Sequence, residues 1–255
     1  MKLSVVIITF NEEKNIGRCI DSVADVADEI IVLDSMSTDR TAEIVRTKNA
    51  TLHIQAFLGY VEQKNKALTL ASNDHVLSLD ADEALDPTLL DTIRTLKSTG
   101  FSGAYEMNRC TNYCGKFIRH GSWYPDRKVR LFNRNEAAWG GDNPHDRIIL
   151  KDGVQLRLIK GDILHYSYHS IEEHVLQNNK FSTISADTLF KRGKKTNLFK
   201  IIVHPAWAFF VGFFIRKGFL DGFYGLVISR QVAHLSFLKH VKLYLKQKSS
   251  SLVSS

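Results

Sequence analysis

The stretch "VLSLDADEALDP" (76–87) ends an apolar run with Asp80, Asp82 and Glu83 inside four residues. Carboxylates so close repel one another, and a divalent cation is the natural compensation. Asp80 and Asp82 alternate by two, so an extended backbone points them the same way. Hard oxygen donors in that arrangement suit Mg²⁺ or Mn²⁺, which fill the rest of their shell with water and phosphate oxygens. An ion bridging a diphosphate would stabilise charge on a departing nucleotide. Two aspartates alone are also what a solvated pair capping a helix would give. Two further loops add weight: "TFNEE" (9–13) and "DSMSTD" (34–39). Asp34 ends its apolar run, where an acidic residue accepts hydrogen bonds from a ribose or a base.

These loops need elements to carry them. "LSVVIITF" (3–10), "DEIIVLD" (28–34), "TLHIQAF" (51–57) and "DHVLSLDAD" (74–82) read as strands, β-branched and apolar enough to be buried on both faces. Between them "NEEKNIGRCIDSVADV", "STDRTAEIVR" and "GYVEQKNKALTLA" have helical spacing, with Asn11 and then Ser37 or Thr38 as candidate caps. The alternation predicts βαβ units and an open, mostly parallel sheet, which binds ligands beyond the carboxyl ends of its strands. A helix over 88–99 follows. "GAYEMNRCTNY" and "KVRLFNR" suggest more strands, and 101–165 is rich in Gly, Trp, Tyr and Asn, as a binding face with long loops would be. From about 171 the pattern is helical.

The formal charge of +7 is unevenly placed: residues 180–248 hold 13 Lys and Arg against 2 acidic residues, a net of +11, and the remainder is at −4. A uniformly basic nucleic-acid binder would not look like this. Neither G-x-G-x-x-G after the first strand nor G-x-x-x-x-G-K-[ST] is present, which argues against a dinucleotide-binding Rossmann domain and a P-loop NTPase. Cys19, Cys110 and Cys114 are too few for a disulfide framework and point to a reducing compartment. "MKLSVVIITF" reads as a core strand rather than a signal peptide. His165, His169 and His174 do not match a common zinc spacing; a catalytic role for His165 stays open.

In order, "VVIITFNEEKNIGRCIDSV", "EIIVLDSMSTDRTAEIV", "QKNKAL" and "VLSLDADE" resemble the successive motifs of family 2 glycosyltransferases of the GT-A fold. The resemblance runs over roughly the first 165 residues. "HGSWYPDRKVRLFNR", "WGGDNPHDRI" and the basic apolar tail more loosely resemble the subgroup that adds sugars to bacterial lipopolysaccharide core. The resemblance implies an α/β GT-A domain over 1–170, its nucleotide-binding half about 1–100 and acceptor half about 101–170, and a helical, basic, membrane-associated region over 171–255. It also implies roles. Thr9, Asn11 and Glu12 would line the nucleotide pocket, Asp34 would contact base or ribose, and Lys64 and Asn65 would lie near the base. Asp80 would sit by the ribose and Asp82 would be the main metal ligand. The reaction implied is transfer of a hexose from a nucleoside-diphosphate sugar, UDP-glucose first among them, with inversion.

Single-displacement inversion needs a base for the acceptor hydroxyl. Asp146 in "NPHDR" is the candidate; related enzymes often have His-Glu where this chain has His145-Asp146, and Asp126 and Asp142 are alternatives. Trp123 and Tyr124 are flat faces for sugar stacking, Arg127 and Arg130 are candidate phosphate contacts, and His145 would orient the base or reach the metal. "IIVHPAWAFFVGFFI" (201–215) is 15 residues, short of the ~20 a spanning helix needs. Aromatic and flanked by basic residues, it reads as a helix lying in the interface of an anionic membrane, against core packing or a true span. The expected place is cytoplasmic, peripheral on the inner face of the plasma membrane. Rival readings are a polyprenyl-phosphate sugar synthase, with Arg127 and Arg130 on a lipid phosphate, a nucleotidyltransferase, and a non-catalytic membrane-bound nucleotide-sugar-binding protein.

Overall fold

The computed structural model describes residues 1–141 and 146–253, in two compact units: 1–110 with 126–141 and 146–166, and 111–125 with 167–253.

The first unit is a mixed sheet covered on both faces. β1 (Leu3–Thr9), β2 (Glu29–Asp34), β3 (Thr51–Ile54) and β4 (His75–Asp80) form its parallel half in the order β3-β2-β1-β4. Alternation along each strand explains why both faces are dry: Leu3, Val5 and Ile7 enter one core and Val6 the other, as Val32 and Ile31 do on β2. α1 (Ile16–Val23) and α4 (Pro87–Thr99) cover the first face; α3 (Tyr60–Leu70) covers the second, and α2 (Thr41–Arg46) links β2 to β3. Beyond β4 the sheet continues through β8 (Asp126–Asn133), β6 (Ala104–Tyr113), β11 (Leu156–Tyr168) and β5 (Glu83–Leu85). The β4–β8, β8–β6 and β11–β5 pairs are antiparallel. The parallel order therefore holds only where helical crossovers join the strands. β9 (Ala137–Gly140) and β10 (Arg147–Leu150) form a separate two-stranded ribbon.

Local boundaries differ from the sequence reading for identifiable reasons. Asn11 caps no helix. It takes a left-handed conformation at φ 55°, which Asn tolerates, and its Oδ1 accepts from the Thr38 amide at 2.8 Å. Neither Ser37 nor Thr38 caps α2; Asp39 Oδ1 accepts from the Thr41 amide at 2.9 Å instead. β4 ends at Asp80, a turn covers Ala81 and Asp82, and Glu83 opens β5, an element the sequence did not suggest. Gly161 fits because β11 passes against the start of α4. Its φ is 99°, and a Cβ there would lie 2.3 Å from the Leu89 nitrogen.

The second unit is mainly helical. α5 (Ile171–Lys191) begins at Ser170, whose Oγ accepts from the Glu173 amide. α6 (Leu198–Phe210) begins at Asn197, whose Oδ1 accepts from Lys200 N at 3.0 Å. α6 runs into a π-helical turn (Val211–Ile215), and α7 (Gly222–Val253) closes the chain. β7 (Lys116–Phe117) pairs with the end of β6. The unit's core is aromatic: Tyr113, Trp123, Tyr168 and His174 pack ring on ring, with Ile118 and Ile228 buried beside them.

Candidate active site

The three acidic residues Asp80, Asp82 and Glu83 do find compensation, and most of it is the protein's own. Glu83 is fully buried, and its Oε1 receives Arg130 Nη2 at 2.6 Å while Oε2 receives the Asp80 amide at 3.1 Å. The same Arg130 nitrogen reaches Asp80 Oδ2 at 2.8 Å, and Lys64 Nζ lies 3.0 Å from Asp80 Oδ1. Burial alone would raise the Asp80 carboxyl, but Lys64 and Arg130 hold it well below the usual carboxylate range. Burial disfavours the charge on Arg130, yet Glu83 and Asp80 push its pKa upward. Trp139, from β9, lies against both cations, 4.2 Å from Lys64 Nζ and 5.3 Å from the Arg130 guanidinium carbon. Asp82 is treated differently: its carboxylate meets His165 Nε2 at 3.1 Å.

Lys64 also reaches across to Asp146, with Nζ 2.7 Å from Oδ2. Asp146 immediately precedes β10, so one buried ammonium joins the end of the parallel sheet to the ribbon. These groups line a cavity of about 600 Å³, bounded by Thr9, Glu12, Ser35, Lys64, Asp80, Asp82, Asp146 and His165. That volume and a few convergent polar groups are what a small-molecule site requires. It opens at the carboxyl ends of β1, β2 and β4, as expected for a sheet of this kind. Phe10, Phe57 and Tyr60 add an aromatic side to the cavity, each about half exposed.

The residues singled out from sequence separate clearly. Thr9, Glu12, Lys64, Asp80, Asp82 and Asp146 share the cavity. Thr9 Oγ1 is buried and has no hydrogen-bond partner. Burial raises the Glu12 carboxyl, Asn15 lowers it by hydrogen bonding, and Asp82 raises it again. Asp34 is buried behind the cavity, where it accepts from both the amide and the hydroxyl of Ser37; Asn11 N donates to that hydroxyl oxygen at 2.8 Å. Asp34 and Asn11 thus shape the loop. Asn65 clamps the Trp139 backbone by two 2.9 Å bonds rather than lining the cavity. Arg130 lies beneath Asp80, only 3% exposed, and Arg127 is exposed with Glu106 at 3.7 Å. Asp126 is paired with Arg109 at 2.8 Å. Trp123 and Tyr124 belong to the second unit, where Trp123 stacks on Tyr168 with centroids 5.3 Å apart. Asp142 and His145 lie outside the described residues.

Sequence reading did not single out Ser35, Phe10, Phe57, Tyr60 or Trp139. The aromatics bracketing "GYVEQ" were a usable signal, since exposed aromatics beside a glycine turn seldom serve a core. Trp139 carried none, because its partners come from α3 and β8.

The donor set bears on a metal. Among the described residues no group of three or more His, Cys, Asp or Glu side chains is placed to hold a metal ion. Asp82 and Asp80 form an incomplete carboxylate edge, with His165 on Asp82 and Lys64 and Arg130 on Asp80. It fits an ion such as Mg²⁺ or Mn²⁺ that draws the rest of its shell from water and a ligand's phosphates.

A parallel half-sheet with an acidic edge, extended by antiparallel strands, is the architecture of the GT-A glycosyltransferases. The family model for glycosyl transferase family 2 matches residues 4–154, and the chain belongs to that family. It is a glycosyltransferase. An uncharacterised glycosyltransferase of Rickettsia typhi is 36% identical over 265 residues, covering 100% of this chain and 91% of its own. The lipopolysaccharide core biosynthesis glycosyltransferase LpsC of Rhizobium meliloti is 28% identical over 251 residues, covering 96% and 92%. Among solved structures, the mannosyltransferase PcManGT of Pyrobaculum calidifontis, in complex with GDP-Man and Mn²⁺, aligns with a TM-score of 0.54 at 15% identity. It covers 95% of this chain and 86% of its own. At that identity the likeness bears on the fold.

Proposed function

We propose that this glycosyltransferase is inverting and metal-dependent, moving a hexose from a nucleoside-diphosphate sugar to a membrane glycolipid or cell-surface saccharide of the lipopolysaccharide-core kind. The observation that carries the reading is one cavity holding both the Asp80–Asp82 strand end and Asp146. The LpsC relative supports the acceptor class, and the GDP-Man and Mn²⁺ in PcManGT agree with the donor class and the ion.

A Mg²⁺ or Mn²⁺ held by Asp82, with Asp80 beside it, would neutralise charge on the diphosphate leaving group. Thr9 lines the donor side of the cavity, and Phe10, Phe57 and Tyr60 offer faces for the donor's base. Lys64 faces the same space with an ammonium that can follow a phosphate. On the acceptor side Asp146 takes the proton of the attacking hydroxyl as the sugar–oxygen bond forms. Arg130 and Glu83 fix the strand end from below.

The polyprenyl-phosphate reading needs Arg127 and Arg130 free for a lipid phosphate. Arg130 is buried and bound to Asp80 and Glu83, so the hydroxyl-acceptor reading is preferred.

The second unit is proposed as the membrane-associated region, on the cytoplasmic face. Leu198–Ile215 is 18 residues at mean hydropathy 1.8, and only 11% of it is buried. It is apolar and long enough to cross a membrane by length and composition. Pro205 lies inside it, and Arg216 and Lys217 follow it. Those interruptions favour an interfacial position, and its exposure disfavours core packing.

The deciding experiment is a donor screen for nucleoside-diphosphate release, with and without Mn²⁺ and with a lipopolysaccharide-core acceptor extract. Acceptor-stimulated release from a nucleoside-diphosphate hexose supports the reading. Release of pyrophosphate, or no turnover of any donor, overturns it.

A further inference from the structure

The second unit holds a cavity of its own, about 490 Å³, lined by Ile171, Phe209, Leu226, Val227, Arg230 and Gln231. Three helices contribute: Ile171 starts α5, Phe209 comes near the end of α6, and the other four lie on α7. Leu226, Val227 and Arg230 recur at helical spacing, so an apolar surface leads along α7 to one guanidinium. Gln231 is already engaged, its Oε1 accepting from Asn178 Nδ2 at 3.1 Å.

The charge on Arg230 has no counter-ion within the segment. Of the two acidic residues in 180–248, Asp187 pairs with Lys246 at 2.7 Å. Asp221 accepts from the His120 amide at 2.8 Å and meets the His120 ring at 3.2 Å. At the start of α5, Glu172 accepts hydrogen bonds from its own amide and from Ser170, and Glu173 accepts from the His169 amide at 2.8 Å. Arg230 is exposed and enters no ion pair among the described residues. An apolar trough ending in an unneutralised cation is complementary to an amphiphile with an anionic head. Leu198, Phe199, Ile202, Trp207, Phe214 and Phe223, all at least half exposed, would bring such molecules close if the unit meets a bilayer.

We propose that this groove binds one anionic phospholipid, its acyl chain against Ile171, Phe209, Leu226 and Val227 and its phosphate on the Arg230 guanidinium. The proposal rests on the membrane reading above, but asks for a discrete site where that reading asks only for a surface.

The test is flotation of the full-length protein with vesicles of phosphatidylcholine alone and with added phosphatidylglycerol. Wild type, Arg230→Gln, Leu226→Asn, and as a charge control Arg192→Gln, which is exposed and outside the groove, are compared. A diffuse surface charge is worth about fivefold in partitioning. Arg230→Gln is expected to lower the preference for phosphatidylglycerol by roughly tenfold or more, as loss of a charge-assisted hydrogen bond does. Arg192→Gln should stay near fivefold or below, and Leu226→Asn should weaken binding to the anionic vesicles. Native mass spectrometry from detergent should find one phosphatidylglycerol on the wild type and none on Arg230→Gln. Equal losses for Arg230→Gln and Arg192→Gln, or retained lipid on Arg230→Gln, overturn the groove while leaving the membrane reading intact. No flotation of the wild type with either vesicle overturns both.

Discussion

The ammonium of Lys64 lies 2.7 Å from Oδ2 of Asp146, although the two are 82 residues apart in the chain. A buried cation therefore holds the carboxylate proposed as the base within the donor cavity. If Asp146 takes the acceptor proton, Asp146→Asn should lower kcat at least about a hundredfold. The donor KM should change little, because the lost interaction is made mainly in the transition state. Asp146→Glu should keep part of the activity. Single-turnover transfer, run beside Asp126→Asn, checks this; near wild-type transfer by Asp146→Asn would place the base elsewhere.

Asp82 has only His165 for compensation among the described contacts, and so is the carboxylate most open to an ion. Asp82→Asn should cut turnover by about a hundredfold or more, equivalent to several kcal/mol of charge stabilisation. Its urea midpoint should barely move. Titration of activity with Mn²⁺ after EDTA treatment reads the effect; full wild-type activity in EDTA would refute metal dependence.

Arg130 is a structural cation. Arg130→Met would leave Asp80 and Glu83 facing each other without it, and loss of one partner of a buried ion pair typically costs about 3–5 kcal/mol. Equilibrium urea unfolding should report a loss of that size, while Arg127→Met should lie within roughly 0.5 kcal/mol of wild type.

Burial lowers His174 and His240 from 6.5 to about 4, with nearby positive charges adding to the effect on His240. Between those values the unfolded chain binds protons that the folded chain refuses. Their contribution to stability is therefore intact above pH 6.5 and is lost as pH falls toward 4. Urea midpoints at pH 7 and pH 5 should differ in the wild type, and the difference should shrink in His174→Gln with His240→Gln. An unchanged difference would show that other groups carry the acid sensitivity.

The exposed apolar face of Leu198–Ile215 should keep the protein with membranes. High salt should release it only partly, since screening removes the electrostatic attraction and leaves the apolar one, and detergent should release it fully. Clean solubility without detergent would contradict the membrane assignment.

Local chemistry made much of this protein legible from its sequence. Strands such as Val5–Val6–Ile7 declare themselves because burial on both faces demands an unbroken apolar run, and strand–helix alternation then requires parallel crossovers. Asp80, Asp82 and Thr9 follow, since their loops emerge at one edge. Tertiary structure decided what those side chains do. Three carboxylates in four residues looked like one metal site, yet Glu83 and Asp80 are balanced by Arg130 and Lys64, which come from β8 and α3. Asn65, adjacent to Lys64, turns instead to the Trp139 backbone. No spacing rule foretells these pairings: a charge held in a low-dielectric interior must meet its partner through space, and which partner arrives is fixed by how distant strands and helices pack.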